Sequence, residues 1–242
     1  MNRILFEPGE IVDGIATFGG PRADHVLDVL HGEPGQTLKT GVLDGAIGTS
    51  EIVAVGTDSE GGRMVSVRVS HDAESLRPWV DLILAPPRPR VMKRLLPQLA
   101  AMGVGRIVLV GAKKVEKDFW GATLLKPENY RPLLIDGLMQ SGTSILPVLE
   151  TRRNFRRFVA DELDAMFGSG ERIVAHPYGD AASVVPVAER ERLLLAVGPE
   201  GGWTEEEVEL LESRGFRRRS LGPRILRTDT ATVALLARLF PA

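Results

Sequence analysis

From residue 79 onward the chain sets nearly continuous apolar runs against amphipathic stretches. "VDLILAP", "RIVLVGA", "RIVAH" and "LLLAVG" are too apolar to alternate. Between them lie "RVMKRLLPQLAAMG", which holds helical spacing despite Pro97, then "PENYRPLLIDGLMQSG" and "TEEEVELLESRG". The short strand "RRRSLG" and the helix "DTATVALLARLF" complete the series. Strands that are apolar on both sides, alternating with helices, predict an α/β fold: a parallel sheet covered on both faces.

Residues 1–72 have a different rhythm. "EIVAVG" and "RMVSVRV" read as strands and "TDSEGG" as the turn between them. "PRADHVLDVLHG" reads as a short helix opened by Pro21, with Val26, Leu27 and Leu30 inward and Gly32 as its stop. Several strands with one helix suggest a small barrel. The polar stretch "HDAESLRPW" marks the change, so two domains are expected, 1–72 and 73–242.

Composition removes several classes of function. The chain has no cysteine, which excludes disulfides, zinc-thiolate sites and thiol nucleophiles, and no metal cluster is recognisable. No apolar run reaches the roughly 18 residues of a bilayer span. The start "MNRILFEPGE" lacks an apolar core with a small-residue cleavage site, so a cytoplasmic location is expected. The net charge of −2 announces no nucleic-acid binder, though positive residues cluster locally.

Two glycine-proline loops carry the functional signal. "AVGPEGGWTEEE" joins a strand to a helix whose start is set by a capping box, Thr204 with Glu207. It lacks the lysine of a P-loop and the spacing of GxGxxG, and Glu200 with Glu205, Glu206 and Glu207 would repel a phosphate. It suits a ligand with positive charge or one held by main-chain groups. "LGPRILR" repeats the device, with Gly222 and Pro223 at the carboxyl end of a strand, where ligands of parallel sheets bind. "AHPYGD" follows a third strand. Taken singly, each loop reads equally as a tight turn, and His176 as a packed or capping histidine.

"GPEGGWTEEEVELL" followed by "SLGPRILRTDTATVALL" resembles the signature of the 16S ribosomal RNA uridine N3-methyltransferases, S-adenosylmethionine-dependent enzymes of the SPOUT superfamily. The likeness is close over the final 45 or so residues and looser through "PGQTL", "GVLDG", "LAAMGVGRIVLV", "MQSG" and "AHP". It implies an N-terminal PUA-like β-barrel that binds RNA and a SPOUT α/β domain with a C-terminal trefoil knot, assembled as a homodimer acting on 16S rRNA or the small ribosomal subunit. It also implies that S-adenosyl-L-methionine lies among His176, the loop Val197, Gly198, Pro199, Glu200, Gly201 and Gly202, and Leu221, Gly222, Ile225 and Leu226.

Uridine N3 carries a proton and is a poor nucleophile. Arg227 and Arg224 can stabilise charge on the uracil carbonyls or grip a phosphate; an arginine bridging to a partner subunit is the plainer reading. No general base emerges. The RNA face is expected at Arg3 and Arg22, at Arg88, Arg90, Lys93 and Arg94, and at Lys113 and Lys114, each of which singly reads as a solvated charge. The chain departs from the family pattern where RNA contact is implied. Asp28 and His31 stand in the barrel helix where arginine is common, "AKKVEK" replaces a Glu-Arg-Ser-like motif, and Thr143 replaces a basic residue. The competing function is an RNA-binding or ribosome-assembly protein with a vestigial cofactor pocket. The absent P-loop lysine and metal cluster count against a nucleotide hydrolase or kinase.

Overall fold

A computed structural model describes residues 2–168, 170–180 and 192–240. The chain divides into two compact units, residues 1–76 with 135–146, and 77–134 with 147–242.

The first unit carries β1 (Ile4–Phe6), β2 (Ile11–Val12), β3 (Ile15–Gly19), β4 (Thr37–Val42), β5 (Ile47–Thr57) and β6 (Arg63–Ala73). They form one sheet in the order β1-β4-β5-β6-β3-β2, with β1 parallel to β4 and the other pairs antiparallel. Phe6, Phe18, Val26, Ile52, Val65 and Val67 make its core. The turn between β5 and β6 is held by Asp58, whose carboxylate accepts from the amides of Glu60 (2.9 Å) and Gly62 (2.7 Å). The expected helix begins as α1 (Gly20–Asp24) and continues as a π-helical turn over His25–Val29. That wider winding rotates the last turn outward: Val26 is fully buried, but Leu30 is exposed rather than inward.

The second unit is built on β7 (Val80–Leu84), β8 (Val104–Val110), β9 (Val148–Arg152), β10 (Glu171–Asp180), β11 (Leu193–Val197) and β12 (Arg217–Arg219). All pairs are parallel, in the order β12-β10-β11-β7-β8-β9. Every residue of β7 and β11 is buried, which accounts for their unbroken apolar reading. Asp81 is the exception in kind, and Arg192 Nη2 reaches its carboxylate at 2.7 Å. The helices are α2 (Pro89–Ala101), α3 (Pro127–Ser141, whose residues 135–141 count with the first unit), α4 (Phe155–Arg157), α5 (Leu163–Phe167), α6 (Glu205–Glu212) and α7 (Thr228–Leu239). Among the described residues no helix is long and apolar enough to cross a membrane.

The strand order positions the site. β11 lies between β7 and β10, and β12 beyond β10. The second half of β10 and the loops leaving β11 and β12 therefore come from three neighbouring strands.

Candidate cofactor cavity and basic surface

The second half of β10, those two loops and α7 enclose a cavity of about 330 Å³. From β10 come Ala175, His176 and Pro177: "AHPYGD", expected to follow the strand, lies within it, across a register irregularity between Ala175 and Asp180. From the loop after β11 come Val197 through Trp203. β12 and the loop after it give Arg219, Ser220, Leu221, Arg224, Ile225 and Leu226, and α7 gives Thr228, Ala231 and Leu235. The structure thus brings together His176, the whole run Val197–Gly202, Leu221, Ile225, Leu226 and Arg224. Gly222 lies in the turn behind this lining, and Arg227 lies outside it, at the N-cap of α7.

Local chemistry holds each loop. Gly198 packs under the Trp203 indole so closely that a Cβ there would lie 3.0 Å from the ring. Gly202 closes a turn by donating to the Pro199 carbonyl (2.8 Å) and has φ +71°. Gly222 has open space around its missing Cβ but φ +118°, so its backbone, not crowding, demands glycine. The Ser220 hydroxyl donates to the Pro177 carbonyl (3.0 Å) and accepts from the Gly222 amide (3.1 Å), tying the loop after β12 to β10. Thr228 Oγ1 donates to the Gly198 carbonyl (3.1 Å), tying α7 to the loop after β11.

The capping box forms: Thr204 Oγ1 accepts from the Glu207 amide (3.4 Å) and Glu207 Oε2 from the Thr204 amide (2.8 Å). The buried Glu207 carboxylate also accepts from the Lys113 amide (2.7 Å), joining the loop after β8 to the start of α6.

The cavity is apolar with few fixed charges. His176 is held below its ordinary pKa, first by burial and then by the nearby Arg218 guanidinium, with Glu205 and Glu212 opposing. Its Nδ1 accepts from the Tyr178 amide at 3.3 Å. Two buried N–H groups on the wall have no partner, Trp203 Nε1 and Arg219 Nε. Unpaired buried donors are uncommon in native structures. Neither residue is marked by the sequence reading: Trp203 stands inside a motif read for its glycines, and Arg219 in a run of three arginines. The Arg224 and Arg227 side chains are exposed, with no hydrogen-bond or ion-pair partner among the described residues.

The basic residues separate into two kinds. Arg3 and Arg22 are engaged inside the first unit. Arg3 donates to the carbonyls of Gly142 (2.9 Å), Thr40 (2.6 Å) and Gly48 (2.9 Å). Arg22 pairs with Glu10 (2.5 Å), donates to the Leu5 carbonyl, and lies 5.4 Å from the Phe18 ring centroid. In the second unit Arg88, Arg90, Lys93, Arg94, Lys113 and Lys114 are all exposed. Arg88 pairs with Glu116 (3.1 Å), and Arg94 approaches Asp229 at 4.0 Å. Lys114 Nζ donates to the Gly201 carbonyl (2.8 Å).

Comparison with known proteins adds the family. Residues 74–240 match the model of an RNA methyltransferase domain. The chain is 30% identical to ribosomal RNA small subunit methyltransferase E of Treponema pallidum, over 98% of this chain and 90% of that one. A methyltransferase of Legionella pneumophila, solved with S-adenosylmethionine bound, superposes with a TM-score of 0.72 at 25% identity, over 98% of this chain and 95% of that one. Ribosomal RNA small subunit methyltransferase E of Neisseria gonorrhoeae, solved bound to S-adenosyl methionine, shares the fold with a TM-score of 0.71 at 23% identity, over the same shares. The chain belongs to the RNA methyltransferase family, among the ribosomal RNA small subunit methyltransferase E proteins.

Proposed function

We propose that the protein methylates N3 of a uridine in 16S ribosomal RNA, with S-adenosyl-L-methionine as the donor. The observation that carries this reading is the cavity itself. Two glycine-proline loops and the β10 segment around His176 present main-chain groups and apolar walls, and among the described residues no lysine-bearing phosphate loop lines it. That donor set fits a neutral purine and ribose with a sulfonium. Leu221, Ile225 and Leu226 offer surface to the purine, while the main-chain groups of the glycine-proline turns offer hydrogen bonds. When bound, the cofactor supplies a methyl carbon activated by the adjacent positive sulfur.

The protein's own work is to position and to stabilise charge. Loss of the N3 proton leaves negative charge on the uracil carbonyls, and in this reading the exposed guanidiniums of Arg224, on the cavity wall, and Arg227, at the N-cap of α7, receive it. Neither is assigned proton removal, since an arginine keeps its proton at any working pH. In this reading the first unit is a PUA-type barrel that captures RNA (residues 1–72 by the sequence boundary). The remainder is the catalytic domain, knotted at its C-terminal end, and the enzyme works as a cytoplasmic homodimer.

The test is nucleoside mass spectrometry of small-subunit rRNA from a strain lacking the gene, with and without its restoration. Appearance of 3-methyluridine only on restoration supports the reading. No change assigns the protein to RNA binding or ribosome assembly without turnover. Arg227→Ala is expected to slow single-turnover methylation by about two to three orders of magnitude, with RNA affinity little changed. A normal rate removes Arg227 from the chemistry.

A further inference from the structure

We infer that the first unit captures its RNA through a protein that coats the RNA, not through phosphates. The docking face is the outward side of the turn 25–30, where Asp24 and Asp28 flank Val29 and Leu30. Its occupant is a Lys- and Arg-rich segment of a basic protein of the small-subunit particle. The inference rests on the reading above and specifies how this unit reaches the substrate.

Charge is divided unevenly between the two units. Residues 1–76 with 135–146 carry five Lys and Arg against thirteen Asp and Glu, and the rest of the chain twenty-five against nineteen. The first unit therefore has a side-chain charge of −8 within a chain total of −2. Its cations are mostly engaged. Arg3 is held by three carbonyls and Arg22 by Glu10. Arg68 pairs with Glu51 (3.0 Å), and Arg63 with both Asp24 and Asp28. Exposed Lys39 alone has no hydrogen-bond or ion-pair partner among the described residues. Exposed carboxylates remain at Asp13, Glu33, Glu60 and Asp72. A phosphate backbone approaching this unit meets net repulsion.

The same turn presents apolar surface. Its π-helical winding leaves Val29 61% and Leu30 45% exposed. Val55 is 41% exposed and lies diagonally across the β5–β6 ladder from Arg63, the residue that clasps Asp24 and Asp28. One exposed apolar residue needs no explanation, but three beside one ion cluster mark a contact surface.

Charge complementarity selects the occupant. RNA and an anionic lipid surface both face like charge here. A second copy meeting this face symmetrically would set carboxylates against carboxylates. A basic protein segment serves both parts: its cations meet the carboxylates, and its apolar residues cover Val29 and Leu30. Proteins that bind RNA carry such segments, because they neutralise phosphates with Lys and Arg. Asp28 and His31, which stand where the family likeness implies arginine, suit this occupant and not a phosphate.

The experiment mixes the full-length protein with intact small ribosomal subunits and couples carboxylates to adjacent lysines with a carbodiimide. Mass spectrometry then maps the joined peptides, and joins from residues 24–33 to lysines of subunit proteins are expected. In parallel, Asp28→Lys and Leu30→Ser should each raise the Kd for subunits about tenfold. Both should keep the wild-type affinity for S-adenosylmethionine, and Asp28→Lys should bind a protein-free rRNA transcript no more weakly than the wild-type chain. Absence of joins from 24–33, unchanged or tighter subunit binding by both variants, or failure of the wild-type chain to bind subunits overturns the inference. If Asp28→Lys weakens transcript binding as much as subunit binding, the face meets RNA and the inference fails. If the joins form and both variants weaken subunit binding while no 3-methyluridine is made, the docking face stands and the methylation reading fails.

Discussion

Glu207→Gln isolates the buried carboxylate that joins two loops. The side chain is 5% exposed, and its two oxygens serve two different main-chain donors, Thr204 N–H at 2.8 Å and Lys113 N–H at 2.7 Å. Glutamine keeps the volume but offers one acceptor, so its NH₂ group must face one of the two amides. A hydrogen bond to a charged group contributes about 1.5–3 kcal/mol, and a buried donor left unpaired costs about 1–3 kcal/mol. The two overlap, so about 2–4 kcal/mol is expected. At about 2–4 °C per kcal/mol for a chain of this size, Tm should fall by about 4–16 °C. Thr204→Ala removes only the other half of the box, a contact of 3.4 Å, and should cost about 1 kcal/mol. Glu209→Gln, exposed on the same helix, should stay within about 0.5 kcal/mol. The assay is calorimetry of the three variants, with hydrogen exchange at the amides of Lys113 and Thr204 to locate the loss. Faster exchange at Lys113 is the diagnostic result, because a capping box alone does not reach that residue. If Glu207→Gln costs no more than Thr204→Ala and Lys113 keeps its protection, the carboxylate does not tie the two loops together.

Two further outcomes test the argument elsewhere. At Gly198 the cost of substitution should grow with size, because the Trp203 ring is 3.0 Å from any Cβ; at Gly222, where nothing lies within 4 Å, alanine and leucine should each cost about 1–3 kcal/mol of backbone strain and differ little. Thermal unfolding of the four variants decides, and equal size dependence at the two sites contradicts the assignment. In the first unit, His71 Nε2 lies 2.7 Å from Thr40 Oγ1, and burial followed by the Arg3 charge lowers its pKa against the opposing pull of Asp72. The unfolded chain therefore binds the proton first, so stability should be full above the ordinary histidine value of about 6.5 and fall as pH drops through it towards the folded value. An NMR titration placing His71 at or above that ordinary value would refute this.

The second unit was legible where burial on both faces leaves an unmistakable run, as in β7, β8 and β11. Strand β9 is not assigned by the reading because it is an edge, and "VLETR" is half polar. Residues 155–167 do carry a helical signal, with Phe155, Phe158, Val159 and Leu163 all buried. The reading passes over it because two short helices and a π turn share the segment. The glycine-proline loops were legible as loops, and the lining they form follows from strand order. The second duty of Glu207 was not, since its partner Lys113 is 94 positions away. Nor were the unpaired donors of Trp203 and Arg219, which are defined by what does not approach them. Arg3 and Arg22 show the opposite limit: charge in a sequence looks available until the carbonyls and rings around it are known.

The pairing of Asp81 with Arg192 has a consequence for the growing chain. β7, β8 and β9 are synthesised well before β11, so for that interval β7 is an open edge carrying "VDLIL". An apolar edge strand invites addition of a strand from another molecule. A carboxylate near the start of that strand is a deterrent, because an incoming strand would have to bury it without a partner. Arg192 immediately precedes β11, so the only legitimate strand to add at this edge arrives with the cation that neutralises the guard. The ion pair thus works as a password between two segments far apart in sequence, useful before the native state exists.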